Sequence, residues 1–236
     1  MSQSKMKKVI LLGTTGSGKT TFLKNLIGLS KDNFADAEVP RRIKLEVDTD
    51  NTFSPVEEGM FDNSTTTISF NVKPVIFTLT KTNNFNYYPL KKNEIPFDED
   101  DIDCVFPVLI IDTAGQERFS FIPEMSMKGI DGAFIFSDGS NIQSVERIAQ
   151  YLEMVKEEQI RQNKKIPVMV FVNKKDLESK GIYVGKESVE RWLTDPKITI
   201  CETTNHDMES FLIHIRNFLS DIPGLPLKLQ EILLKS

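Results

Sequence analysis

Cysteine is scarce: Cys104 and Cys201 are the only two in 236 residues. That is too few for a disulfide framework or a thiolate metal site, and it fits a reducing compartment. Positive charge is not in excess either. The net charge is −5 and no basic stripe runs along the chain, which argues against sequence-independent nucleic-acid binding. No apolar run approaches the roughly 20 residues of a membrane-spanning helix. The opening Met1-Ser2-Gln3-Ser4-Lys5 has no apolar stretch before Val9, which predicts no secretory leader. Residue 2 is Ser rather than Gly, and the ending Leu233-Leu234-Lys235-Ser236 has no prenylatable cysteine. The common lipid anchors are therefore not expected. A cytoplasmic protein is expected, with any membrane contact made through a partner or the C-terminal tail.

A linker rich in Pro, Gly and Ser is also missing, so the length is read as one α/β domain over 7–220 with insertions, followed by a tail at 221–236. Lys7-Lys8-Val9-Ile10-Leu11-Leu12-Gly13 reads as a buried strand ending in a glycine-rich turn. Residues 20–28 read as a helix, with Phe22, Leu23, Leu26 and Ile27 at helical spacing and Gly28 as its stop. Apolar runs at 106–111, 133–136 and 168–172 predict strands buried on both faces. Helical patterns lie at 144–159, 186–193 and 208–219. Strand alternating with helix implies a doubly wound, mostly parallel sheet with helices on both faces. Two polar stretches interrupt it. One covers about 29–64, and the other, about 81–104, reads as the tip of an elongated hairpin.

Gly13-Thr14-Thr15-Gly16-Ser17-Gly18-Lys19-Thr20 matches the G-x-x-x-x-G-K-[ST] pattern between a strand and a helix, with Thr21 following. Glycines let backbone N–H groups turn inward around a phosphate, where a helix N-terminus adds partial positive charge. Lys19 is expected to reach the β- and γ-phosphates and Thr20 to ligate Mg²⁺. The motif predicts a nucleoside triphosphate and says nothing of the base.

Asn173-Lys174-Lys175-Asp176 follows the strand at 168–172, at the edge where α/β sheets bind ligands. A carboxylate at Asp176 can accept from guanine N1–H and the exocyclic amine together, and adenine lacks that donor pair. N-K-x-D in this position, with the phosphate loop, resembles the Ras superfamily of small GTPases, which carry the P-loop NTPase fold. The resemblance implies that Lys174 lies along the base and that Asn173 ties its loop to the phosphate loop. Asp112-Thr113-Ala114-Gly115-Gln116-Glu117-Arg118-Phe119 is similar to the second switch of Rab-like members. By that resemblance Asp112 holds Mg²⁺ through water, the Gly115 N–H senses the γ-phosphate, and Gln116 orients the attacking water. Thr67-Ile68-Ser69-Phe70-Asn71-Val72 resembles the first switch of Rab and Arf proteins, which makes Thr67 the Mg²⁺ ligand of the GTP state. Thr67 stands 48 positions after Lys19 and 45 before Asp112, about double the family separations. Both insertions therefore border the surface where the family's regulators and effectors bind.

Cys201-Glu202-Thr203-Thr204-Asn205 looks like the family's E-T-S-A-K loop, with Thr204 and Asn205 beside the base and Asn205 replacing a small residue. Thr15 departs from the glycine of Ras and is expected to crowd the γ-phosphate. No arginine just precedes Thr67, leaving Arg41 or Arg42 as the remote candidate for a finger in cis. His206, the acidic residues 98–101 and Asp103 read as solvated, Trp192 and Cys201 as core, and 227–234 as a short apolar helix. The expectation is a GTP-hydrolysing switch with GTP and Mg²⁺ as substrate and cofactor. The competing expectation is a GTP-dependent binding module that hardly hydrolyses.

Overall fold

Strand β1, Lys7–Gly13, is buried from Val9 onward because its side chains alternate between two apolar layers. Val9 and Leu11 enter one layer, Ile10 and Leu12 the other. The computed structural model describes residues 6–32, 70–82, 84–89, 101–113, 126–191, 193 and 198–223. Further strands are β2 (Phe70–Thr80), β3 (Phe85–Pro89), β4 (Ile102–Thr113), β5 (Gly132–Asp138), β6 (Val168–Asn173) and β7 (Thr199–Glu202). They form one seven-stranded sheet in the order β3-β2-β4-β1-β5-β6-β7. The neighbours from β4 to β7 run parallel, and β2 is antiparallel to both β4 and β3. This is the expected mostly parallel α/β sheet of a P-loop NTPase.

Helices α1 (Lys19–Asp32), α2 (Ile142–Glu146), α3 (Ile148–Gln162), α4 (Lys186–Glu190) and α5 (Met208–Ser220) cover both faces. The layers differ in chemistry. Beneath α1 and α5, Phe22 lies 5.2 Å from Phe136 and 5.0 Å from Phe211 between ring centroids, and Phe171 lies 5.0 Å from both Phe136 and Phe211. Beneath α2, α3 and α4 the layer is largely aliphatic, with Ile135, Val145, Ile148, Val155, Val170 and Val189 buried together. These ring contacts seat α1 within a turn of Lys19.

Several sequence expectations change in detail. Helix α1 runs past Gly28 to Asp32, because packing of Phe22, Leu23 and Leu26 outweighs the roughly 1 kcal/mol helix penalty of one glycine. The helix expected at 144–159 begins at Ile142 and is divided at Arg147. Asn141 caps its start, its side chain accepting from the amides of Gln143 and Ser144. The helix expected at 186–193 ends at Glu190. The second insertion is not a bare hairpin tip. Residues 85–89 turn back through Lys81 and Thr82 and pair with Val75–Leu79, adding strand β3 at the sheet edge. The sequence pattern hid it because Phe-Asn-Tyr-Tyr-Pro mixes β-formers with turn residues. Among the described residues no helix is long and apolar enough to cross a membrane.

Gly139, just past β5, carries a packing constraint. A Cβ there would stand 2.2 Å from a ring carbon of Tyr183. The Gly139 N–H donates to the Asn173 carbonyl at 3.0 Å, and Tyr183 Oη donates to the Val172 carbonyl at 3.0 Å. Gly139→Ala is expected to displace the Tyr183 ring and lower stability by about 1–3 kcal/mol. Urea unfolding midpoints of the two proteins check this, and equal midpoints would show the ring free to move aside.

Candidate nucleotide site

The crevice opens at the carboxyl ends of the strands, where β4 and β5 flank β1 on opposite sides. The loop after β1 holds three glycines with positive φ: Gly13 at 145°, Gly16 at 80° and Gly18 at 103°. Only glycine adopts such angles cheaply. At Gly18 space adds a second constraint, since a Cβ would fall 2.1 Å from Asn173 Nδ2 and 2.6 Å from Asn205 Nδ2.

Lys19 is 4% exposed and curls back over its own loop. Its ammonium donates to the carbonyls of Gly13 at 2.7 Å and Thr14 at 2.9 Å. Burial pulls its pKa down from 10.5 to about 8, against the nearby Asp112 carboxylate, which raises it. A cation held with so little compensation is poised to pair with an anion.

Thr20, on the first turn of α1, donates from its hydroxyl to Asp112 Oδ2 at 2.7 Å. Asp112 ends β4 at 4% exposure, and its other oxygen, Oδ1, is buried with no hydrogen-bond partner among the described residues. A hydroxyl beside a carboxylate with an unsatisfied oxygen is a hard-oxygen donor set, which fits Mg²⁺. Thr14 is buried and shares a 2.6 Å hydrogen bond with Ser144 Oγ, whereas Thr15 and Thr21 are exposed.

On the base side, Asn173 is 1% exposed and its Nδ2 donates to the Ser17 carbonyl at 3.0 Å. Lys174 has φ 69°, a left-handed backbone that turns its side chain back toward β5. There its ammonium meets Asp138 Oδ2 at 2.5 Å. Burial would raise the Asp138 carboxyl, but hydrogen bonds from Lys174 and Ser140 overcome it and hold the group below the usual range. Asp176 is exposed, and Thr204 Oγ1 donates to its Oδ1 at 2.9 Å. The Lys175 N–H donates to the Thr203 carbonyl at 3.0 Å, and Lys175 Nζ reaches Glu202 at 2.9 Å. These bonds tie Lys175 and Asp176 to residues 202–204. An open hollow of about 470 Å³ lies beside them, lined by Asp176, Glu202, Thr203 and Thr204 among others but not by phosphate-loop residues.

Asp138, Ser144, Tyr183 and Asn25 escaped the sequence reading. The one signal was polar residues, Ser137-Asp138, ending an otherwise apolar strand. His206 is exposed, and Cys201 is buried, its thiol pushed up to about 11 chiefly by desolvation. That thiol is inert packing. Thr67, Gly115 and Gln116 lie outside the described residues, as do Arg41, Arg42, Trp192, residues 98–100 and 227–234.

The family model described as "Ras family" matches residues 90–220, more than half of the chain. The matched span contains Asp112, Asn173 and Asp176, and begins after the phosphate loop. Among curated proteins, the Ras-related protein RabZ of Dictyostelium discoideum is 28% identical over 93 residues. That stretch is 39% of this chain and 39% of the relative, so the chain aligns with well under half of that protein.

Proposed function

The chain belongs to the Ras family, and from that premise we propose a guanine-nucleotide switch that binds GTP with Mg²⁺ and hydrolyses it to GDP and phosphate. The observation that carries the reading is the convergence of Lys19, the Thr20–Asp112 pair and Asn173 on one glycine loop. In this reading the loop amides and Lys19 hold the β- and γ-phosphates, with Lys19 exchanging its two carbonyl partners for phosphate oxygens. Thr20 and Asp112 would hold Mg²⁺, which would supply neutralisation of charge on the phosphates. Asp176 selects guanine, since adenine leaves its carboxylate unpaired. Asn173, Lys174, Thr204 and Asn205 shape the base subsite.

Hydrolysis is assigned by the motif at 112–119. Gln116 orients the water that attacks the γ-phosphorus, GDP leaves, and loss of the γ-phosphate releases Thr67 and Gly115, so partners at these loops distinguish the two states. Intrinsic turnover is slow without an activating protein. The location proposed is the cytoplasm.

Chromatography of nucleotide released from the purified protein is expected to yield GDP or GTP; ADP or ATP would sink the guanine reading. Asp176→Asn is expected to weaken GDP at least about a hundredfold and to admit xanthosine diphosphate instead. Competition binding reads this directly, and unchanged preference would remove Asp176 from base recognition. Single-turnover phosphate release from wild type against Gln116→Leu separates hydrolase from binding module, the module predicting equal rates.

A further inference from the structure

We propose that Asn205 is a positioning residue that sets how long the nucleotide stays bound, by stapling the base-side loop to the phosphate loop; this rests on the guanine-nucleotide reading above. Asn205 stands where the resembled loop carries a small residue, so its side chain is additional to that pattern. Its Nδ2 donates to the Gly18 carbonyl at 3.2 Å. Its own carbonyl accepts from Asn25 Nδ2 on α1 at 2.9 Å. Next to it, Asn173 Nδ2 donates to the Ser17 carbonyl at 3.0 Å.

Two carboxamides from two base-side loops thus grip consecutive carbonyls of the phosphate loop. Gly18 fits between them because it has no Cβ. Asn205 Oδ1 is buried with no hydrogen-bond partner among the described residues. The amide is therefore held in place by its donor bond, at the cost of an unsatisfied acceptor.

The consequence follows from bridging. A guanine nucleotide touches the base loops at one end and the phosphate loop at the other, and its retention depends on the two being held at one spacing. Through Gly18 and Asn25 the loop at Asn205 is tied to the phosphate loop and to the second turn of α1, so this joint has to open before the base can leave while the phosphates remain held. Among the described residues neither is hydrogen-bonded to Thr20 or Asp112, so the joint is expected to act on GDP and GTP alike.

The test uses the full chain loaded with a fluorescent methylanthraniloyl derivative of GDP and chased with excess GDP. Asn205→Ala is expected to speed release about tenfold, the effect of one lost, partly buried hydrogen bond. The corresponding GTP analogue should accelerate by the same factor. Asn205→Asp keeps the shape but loses the donor, and is expected to be at least as fast as the alanine variant. Asn25→Ala should act in the same direction and combine with Asn205→Ala less than additively. Release within about twofold of wild type in Asn205→Ala overturns the proposal, as does wild-type behaviour of Asn205→Asp. A lowered melting temperature with unchanged release assigns Asn205 to folding alone, which also overturns it. Failure of the wild-type chain to bind GDP at all would instead remove the guanine-nucleotide reading itself.

Discussion

Replacing Lys19 with methionine is expected to weaken GDP binding by roughly a hundred- to a thousandfold while leaving the nucleotide-free fold intact. Truncating one partner of a desolvated, hydrogen-bonded charge pair costs about 2–5 kcal/mol, roughly thirty- to several-thousandfold, and the expected loss lies in the middle of that span. The asymmetry between binding and folding comes from the position of the ammonium. It is 4% exposed and bonded to two loop carbonyls, and burial pulls its pKa down to about 8. The fold bears the cation at a cost that phosphate binding offsets. Methionine removes that cost together with the binding energy, so the melting temperature of the nucleotide-free protein should change little. Equilibrium titration with labelled GDP, set beside thermal melts, checks both halves. Affinity within about tenfold of wild type would remove Lys19 from the phosphate site.

The same lysine gives a pH signature. Its folded-state value near 8 lies below the ordinary 10.5, so the folded protein binds fewer protons than the unfolded chain between those values. Stability of the nucleotide-free protein therefore rises with pH through that window. Phosphate favours the charged form, so GDP binding at about pH 8.5 takes up protons, and affinity falls as pH rises above about 8. Calorimetry in two buffers of different ionisation enthalpy reads the uptake, which Lys19→Met should abolish.

Phe22→Ala is expected to cost the largest amount of stability, about 3–5 kcal/mol. Phe22 is fully buried, and its ring meets Phe134, Phe136, Phe171 and Phe211 within 6.4 Å between centroids. Two strands and two helices share that contact, so no single neighbour can move in to fill the space. For a chain of this size the loss corresponds to a melting-temperature drop of roughly 6–20 °C. Phe22 also follows Lys19 by three positions on α1, so loosening the ring should weaken GDP as well as lower the midpoint. A midpoint shift below about 1 kcal/mol would show that the aromatic layer repacks easily.

The elements nearest the phosphates were the most legible. Strand, glycine turn and helix are adjacent in the chain, and the conformation of 13–20 depends on local demands: positive φ at glycines, an apolar strand before them and an amphipathic helix after. Strands β5 and β6 were equally plain, because a strand buried on both faces is apolar throughout. Elements held by compromise read poorly. Helix α1 overruns Gly28, the pattern at 144–159 is broken at Arg147, and β3 exists because β2 offers a free edge.

Sequence alone was enough to name the residue types of the proposed nucleotide site and their order along the sheet's carboxyl edge: Lys19 and Thr20 after β1, Asp112 near the end of β4, Asn173 and Asp176 after β6. Local chemistry is enough for that, since each motif is contiguous and follows a recognisable strand. Which side chains hold those motifs to one another was decided by tertiary structure. Asn205 lies 187 positions from Gly18, Ser144 130 from Thr14, and Lys174 36 from Asp138. Such pairings depend on strand register and on how loops converge above the sheet. Local periodicity carries neither, because it records which face a residue occupies and not which residue it meets there.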